Sequence, residues 1–135
     1  NLHLTLAFLG PLTAAEQIVA ASLAGSLRFA PFEFSLDRFG CWRGPGIAWL
    51  SCCAPAPALV TLATALEGAI PEARRGATPR AFSPHVTLAR HCRCEAEPAP
   101  LPRPIQWAAG DFVLAESVSD RDGVRYRVID KWVLA

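Results

Sequence analysis

Asn1-Leu2-His3-Leu4-Thr5-Leu6-Ala7-Phe8-Leu9-Gly10 opens the chain, and Ser83-Pro84-His85-Val86-Thr87-Leu88-Ala89-Arg90 repeats its central pattern far downstream. Both stretches read His-apolar-Thr-Leu-Ala inside an apolar run of strand character. A strand turns successive side chains to opposite faces, so His3 shares a face with Thr5, and His85 with Thr87. Two residue rises separate each pair by about 6.6 Å. A lone strand histidine is ordinarily structural. Here the pattern uses two of only three histidines and keeps the same trailing Leu-Ala. Burying two unpaired imidazoles in a core is costly, so the pair is expected to line one cleft.

Two imidazoles beside two hydroxyls suit displacement at phosphorus. Histidine titrates near neutral pH, so one ring can accept a proton while the other, already protonated, donates one. Thr5 and Thr87 can then donate hydrogen bonds to the non-bridging oxygens and stabilise developing charge. His3 and His85 are the catalytic candidates, and Thr5 and Thr87 the phosphate-binding ones. The arrangement itself asks for no metal, nucleotide cofactor or covalent nucleophile. Arg90 follows the second motif and is a further phosphate-binding candidate, although a regular strand points it away from His85 and Thr87.

A chain of 135 residues is expected to form one domain, 1–135. It is 52% apolar with a mean hydropathy of +0.26, yet no apolar run reaches the length that spans a bilayer. No membrane association is expected. A net charge of +1 argues against a broad nucleic-acid-binding surface. Arginine supplies 12 of the 13 basic residues, a bias that GC-rich coding explains as well as function does. Five cysteines, Cys41, Cys52, Cys53, Cys92 and Cys94, form no recognisable disulfide framework, so free thiols in a reducing cytoplasm are expected.

Residues 2–9 read as a strand closed by Gly10-Pro11. Thr13 and Glu16 have capping-box spacing ahead of a helix over 14–27, with Ile18, Leu23 and Leu27 as its buried positions. Alternation predicts a strand over 32–39, and Gly44-Pro45-Gly46 turns it into an antiparallel partner over 47–53. A helix over 58–70 follows, then an Arg-rich loop over 72–82 and the second His strand over 84–91. Four prolines and two acids in 95–104 have loop composition. Strands over 112–118 and 124–134 close the chain around the turn 120–123. Interleaved helices and hairpins make this a mixed α+β fold. The loose duplication, a His strand followed by a hairpin in each half, suggests a pseudo-two-fold with the His strands side by side.

These paired motifs resemble the 2H phosphoesterase superfamily, which is defined by two His-x-Ser/Thr-x motifs. Asn-Leu-His-Leu-Thr-Leu-Ala-Phe-Leu-Gly at 1–10 and Pro-His-Val-Thr-Leu-Ala-Arg at 84–90 are similar to its bacterial and archaeal branch of RNA 2′,3′-cyclic phosphodiesterases and 2′-5′ RNA ligases. The resemblance covers essentially the whole chain, including Trp49-Leu50 and Phe112-Val113-Leu114. It implies a bilobal α+β fold, two antiparallel sheets framing a central cleft with helices outside. It also implies hydrolysis of RNA 2′,3′-cyclic phosphate ends to 2′-phosphates without metal or ATP, and reversible 2′-5′ joining at the same site. RNA ends, tRNA fragments among them, are the implied partners of a cytoplasmic monomer. Family members carry a strand and a helix ahead of the first motif, so the 135 residues are expected to be N-terminally truncated.

Other residues carry weaker signals. Phe8, Phe82 and Trp42 are candidates for stacking on a nucleobase, against a default core role. Arg43, Arg74, Arg75 and Arg80 are candidates for lining an RNA path, against ordinary solvation. His91-Cys92-x-Cys94 has too tight a spacing for an ordinary zinc site and lacks a fourth ligand. Two rival functions stand beside the leading one: a cyclic phosphodiesterase acting on a small nucleotide, and a disabled fragment that only binds RNA ends.

Overall fold

The computed structural model describes residues 1–70, 81–93, 97–121 and 123–135. Its elements run α1 (Ala14–Ser26), β1 (Phe32–Trp42), β2 (Ile47–Ser51), α2 (Pro57–Glu67), β3 (His85–Ala89), β4 (Ala99–Ala109), β5 (Asp111–Asp120) and β6 (Gly123–Val133). Four strands form an antiparallel sheet in the order β3-β2-β1-β4, and β5 and β6 form a separate hairpin. The expected mixed α+β architecture with two antiparallel sheets is therefore present.

Local chemistry accounts for the helices. Thr13 accepts the Glu16 backbone N–H at 3.3 Å, and the Glu16 carboxylate accepts the Thr13 N–H at 2.7 Å, completing the expected capping box. Pro57 occupies the first turn of α2, where its missing N–H leaves nothing unsatisfied. Leu59, Leu62, Ala63 and Leu66 then bury one stripe of α2 at helical spacing. Each buried leucine contributes roughly 1.5–3 kcal/mol.

That stripe joins two core clusters. Leu62 and Leu66 pack with Ala24, Phe112 and Leu134, which ties both helices to the β5–β6 hairpin. Leu59 packs with Phe34, Leu36, Cys52 and Val86 beneath the larger sheet. Leu4 and Leu6 reach into this second cluster from the N-terminal segment, so alternation holds there as the sequence predicts.

Several expectations need correcting. Residues 2–9 form no strand: the chain bends at Leu6, and among the described residues the segment meets β3 only at the single antiparallel bridge Leu4↔Val86. The proline-rich stretch is mostly not a loop: from Ala99 it is β4, an edge strand on β1. Proline lacks only a donor, which an edge or an irregular ladder does not require, and this ladder is irregular opposite Leu36/Arg38. Ile18 is 71% exposed. Helix α1 is buried through Ala20 and Ala24, and Ile18 sits half a turn round from them. Leu23 and Leu27 are half-buried. Helix α2 ends at Glu67, short of Ile70. Cys41 is disulfide-bonded, against the expectation of free thiols, whereas Cys52 and Cys53 carry free thiols. The Arg-rich loop from 72 to 80, with Arg74, Arg75 and Arg80, and Cys94 lie outside the described residues. Among the described residues no helix is long and apolar enough to cross a membrane.

Candidate active site

The bridge Leu4↔Val86 fixes the geometry of the two motifs. Both bridging side chains point into the core, Val86 at 4% exposure. Their neighbours therefore turn to the opposite, outer face. Antiparallel register sets His3 opposite Thr87 and Thr5 opposite His85. The four side chains mark a rectangle with the histidines on one diagonal and the threonines on the other. Diagonal positions in such a pair are about 7–8 Å apart, a gap that suits one phosphoryl group between two imidazoles.

Each imidazole is oriented in the same way. His3 Nδ1 donates to the Asn1 carbonyl at 2.8 Å, and His85 Nδ1 donates to the Ser83 carbonyl, also at 2.8 Å. A carbonyl oxygen only accepts, so Nδ1 carries the proton in both rings. That fixes the tautomer and leaves each Nε2 without a partner among the described residues. The Thr5 and Thr87 hydroxyls likewise make no hydrogen bond among the described residues, so both remain available as donors to a ligand. Repetition of the same contact two residues before each histidine is the physical content of the duplicated motif.

Aromatic rings hold both imidazoles from the side. His3 lies against Tyr126 of β6, with centroids 4.3 Å apart and planes tilted by 55°. His85 meets Trp42 of β1 nearly edge-on, at 4.7 Å and 78°. Trp42 also contacts Trp49 at 5.6 Å, and Trp49 is paired opposite both Thr87 and Gly40. The irregularity between Leu36 and Arg38 explains how Trp42 arrives there. Phe34 and Leu36 lie in the core, and strict alternation would send Trp42 the same way.

A second irregularity lies just ahead of Arg90. The β2–β3 ladder steps from Trp49↔Thr87 to Ala48↔Ala89, which leaves Leu88 as an extra, exposed residue. One extra residue reverses the alternation. Ala89 then falls on the side of Ala48. Arg90 lies on a bend just past the end of β3, so the alternation of a regular strand does not set its direction. Arg90 is exposed and makes no ion pair among the described residues.

The remaining candidates separate from this face. Phe82 packs into the second core cluster. Phe8 is exposed, and Arg43 is ion-paired with Glu97. Cys92 donates from both its backbone N and its Sγ to the Gly46 carbonyl, at 3.0 and 3.1 Å, and so closes the β1–β2 turn. Burial pushes the Cys52 thiol above its ordinary pKa, with Asp37 and Cys53 adding to the effect. A surface hollow of about 220 Å³ lined by Leu27, Phe29, Phe112 and Leu134 lies on the first core cluster, away from the histidines. Sequence reasoning missed Asn1 and Tyr126. Tyr126 sits among exposed alternating residues of β6 with no distinguishing pattern, whereas Asn1 could have been found as the counterpart of Ser83.

Comparison with known proteins matches this geometry to a family. The statistical model of the 2′-5′ RNA ligase superfamily matches residues 1–113. The chain belongs to the 2′-5′ RNA ligase superfamily. Among relatives of this superfamily member, the RNA 2′,3′-cyclic phosphodiesterase of Escherichia coli K12 is 34% identical over 137 aligned residues, covering 99% of this chain and 76% of the relative. The crystal structure of E. coli LigT complexed with 3′-AMP superposes with a TM-score of 0.88 at 33% identity, over 99% of this chain and 77% of that one. A crystal structure of a Thermus thermophilus protein matches with a TM-score of 0.76 at 28% identity, over 98% and 78% of the two chains.

Proposed function

We propose that this superfamily member hydrolyses 2′,3′-cyclic phosphate ends of RNA to 2′-phosphates by two-histidine acid–base catalysis. One observation carries the reading: the mirrored Nδ1–carbonyl bonds of His3 and His85 leave each Nε2 without a partner among the described residues, and the bridge between their segments sets the two histidines at opposite corners. In the reaction, a neutral imidazole takes a proton from water through Nε2 as the water oxygen attacks phosphorus. The other imidazole, protonated at Nε2, gives its proton to the departing 3′-oxygen. Opposite corners suit this, because attacking and leaving oxygens lie in line across phosphorus. Thr5 and Thr87 occupy the other corners and donate to the non-bridging oxygens, with Arg90 adding positive charge. Every proton transfer is assigned to a side chain of this face, so the reading needs neither metal nor ATP. With an RNA 5′-hydroxyl in place of water as the attacking group, the same scheme opens the cyclic phosphate into a 2′-5′ bond, and reversal, with the two histidines exchanging roles, re-forms the ring and releases the 5′-hydroxyl end.

The test uses an RNA oligonucleotide ending in a 2′,3′-cyclic phosphate, with EDTA present, beside His3→Ala and His85→Ala. Ring opening to the 2′-phosphate, resistant to EDTA and lost in both variants, is the expected result. Activity surviving either substitution overturns the mechanism. A marked preference for a free nucleoside 2′,3′-cyclic phosphate over the RNA end would move the reading to a small-nucleotide substrate.

A further inference from the structure

The two histidines share a hydrogen-bond pattern but not a means of support. His85 belongs to β3, whose ladder with β2 places it opposite Ser51, and the Ser51 hydroxyl donates to the Pro84 carbonyl at 2.6 Å. His3 has no comparable ladder, because among the described residues its segment joins the sheet only at Leu4↔Val86. What holds it instead is Asn1. The Asn1 amide lies on the edge of β6 as a neighbouring peptide would: Nδ2 donates to the Val124 carbonyl at 2.8 Å, and Oδ1 accepts the Tyr126 N–H at 3.3 Å. The backbone partners, one acceptor and one donor, dictate which way the amide faces. Meanwhile the Asn1 carbonyl accepts from His3 Nδ1, and the His3 ring rests on Tyr126, the residue whose N–H Asn1 holds.

These contacts close a circuit through Asn1, the β6 backbone, the Tyr126 ring and the His3 imidazole. We infer that Asn1 is a positioning residue: by docking its side chain on β6 it fixes the carbonyl that sets the His3 tautomer and the ring against which His3 rests. Asn1 touches no reacting atom in this scheme and acts only through His3. The inference rests on the functional reading above for its kinetic consequence, though not for its structural one.

Asn1→Asp and Asn1→Ala test it. Aspartate keeps the shape of the side chain but replaces the Nδ2 donor with an oxygen facing the Val124 carbonyl, so the two acceptors repel. Alanine removes both contacts. The first readout needs no substrate: the ring nitrogens of His3 and His85 are followed by long-range proton–nitrogen NMR at a pH where both rings are neutral. The expected result is a mixed tautomer for His3 and an unchanged one for His85. The second readout is the pH–rate profile with the cyclic-phosphate RNA. Turnover is expected to fall about 10- to 100-fold, the range for a misplacement of about 1 Å at a catalytic group, with KM changed by less than about threefold. Two results overturn the inference: unchanged spectra in both variants, or equal changes at His3 and His85, which would mark a general loosening. A His3-specific spectral change in a protein that leaves the RNA untouched would uphold Asn1 as the positioning residue while removing the functional reading.

Discussion

Gly40→Ala puts the packing beneath the site to a quantitative test. A Cβ built on Gly40 meets the Trp49 ring at 2.3 Å at both Cη2 and Cζ2, closer than real Cβ atoms approach anything. Trp49 is 8% exposed and sits opposite Thr87, with Trp42 on its flank, so its ring cannot swing aside freely. Forcing a methyl into such packing typically costs about 1–3 kcal/mol. Alanine in place of a strand glycine returns roughly 0.5–1 kcal/mol through backbone entropy. The overpacking term is larger, and a net loss of about 1–2 kcal/mol is expected. For a chain of this size that lowers Tm by several degrees, roughly 3 °C per kcal/mol. Urea unfolding of Gly40→Ala, Trp49→Leu and the double variant supplies the assay. The double variant should be less destabilised than the sum of the singles by at least about 1 kcal/mol, since the smaller side chain makes room for the methyl. Additive losses, or a Gly40→Ala variant as stable as the parent, would refute the stacking of Trp49 over Gly40. The same comparison is not confounded by a lost hydrogen bond, because Trp49 Nε1 has no partner among the described residues.

Further outcomes follow from other contacts. Gly46 has φ +61°, and a Cβ there meets the Cys92 carbonyl at 2.7 Å, so Gly46→Ala should destabilise by more than about 1 kcal/mol, read by thermal unfolding. Thr13→Ala removes the capping box of α1 and should cost about 1 kcal/mol, a loss that Thr13→Ser recovers in the same assay. Arg90→Ala should weaken inorganic phosphate binding, and calorimetry showing unchanged affinity would remove Arg90 from the site. Iodoacetamide near pH 8 should label exposed Cys53 well before buried Cys52, as mass spectrometry can resolve. The folded state keeps the Cys52 proton to higher pH than the unfolded chain does. Its contribution to stability is thus full below the ordinary thiol pKa of 9.0 and is lost as pH rises through the raised value.

The legible parts of this fold were those with local causes. A capping box, a Gly-Pro-Gly turn and clean alternation are visible within a few residues, and α1, the β1–β2 hairpin and the β5–β6 hairpin stand where those signals put them. His3, Thr5, His85 and Thr87 could be chosen because one pattern occurs twice. Pairing partners have no such local trace. Nothing in 2–9 distinguishes a laddered strand from a bent segment with one bridge, and the edge location of β4, which permits its prolines, depends on β1. Arg90 shows the limit most clearly. A strand continued through it would fix its direction, but β3 gains an extra residue, Leu88, relative to the register of β2 and ends at Ala89, which leaves Arg90 on a bend.

The alternating prolines of β4 bear on what happens when many copies of the chain are crowded together. Pro100, Pro102 and Pro104 fall on an outermost strand, with Pro98 just before it. An open strand edge recruits other chains by offering them a row of backbone donors and acceptors. Three of the five residues 100–104 have no backbone N–H, so an approaching strand finds gaps where it needs partners. What looks in composition like unstructured linker thus serves the finished molecule as a barrier to fibrous self-association.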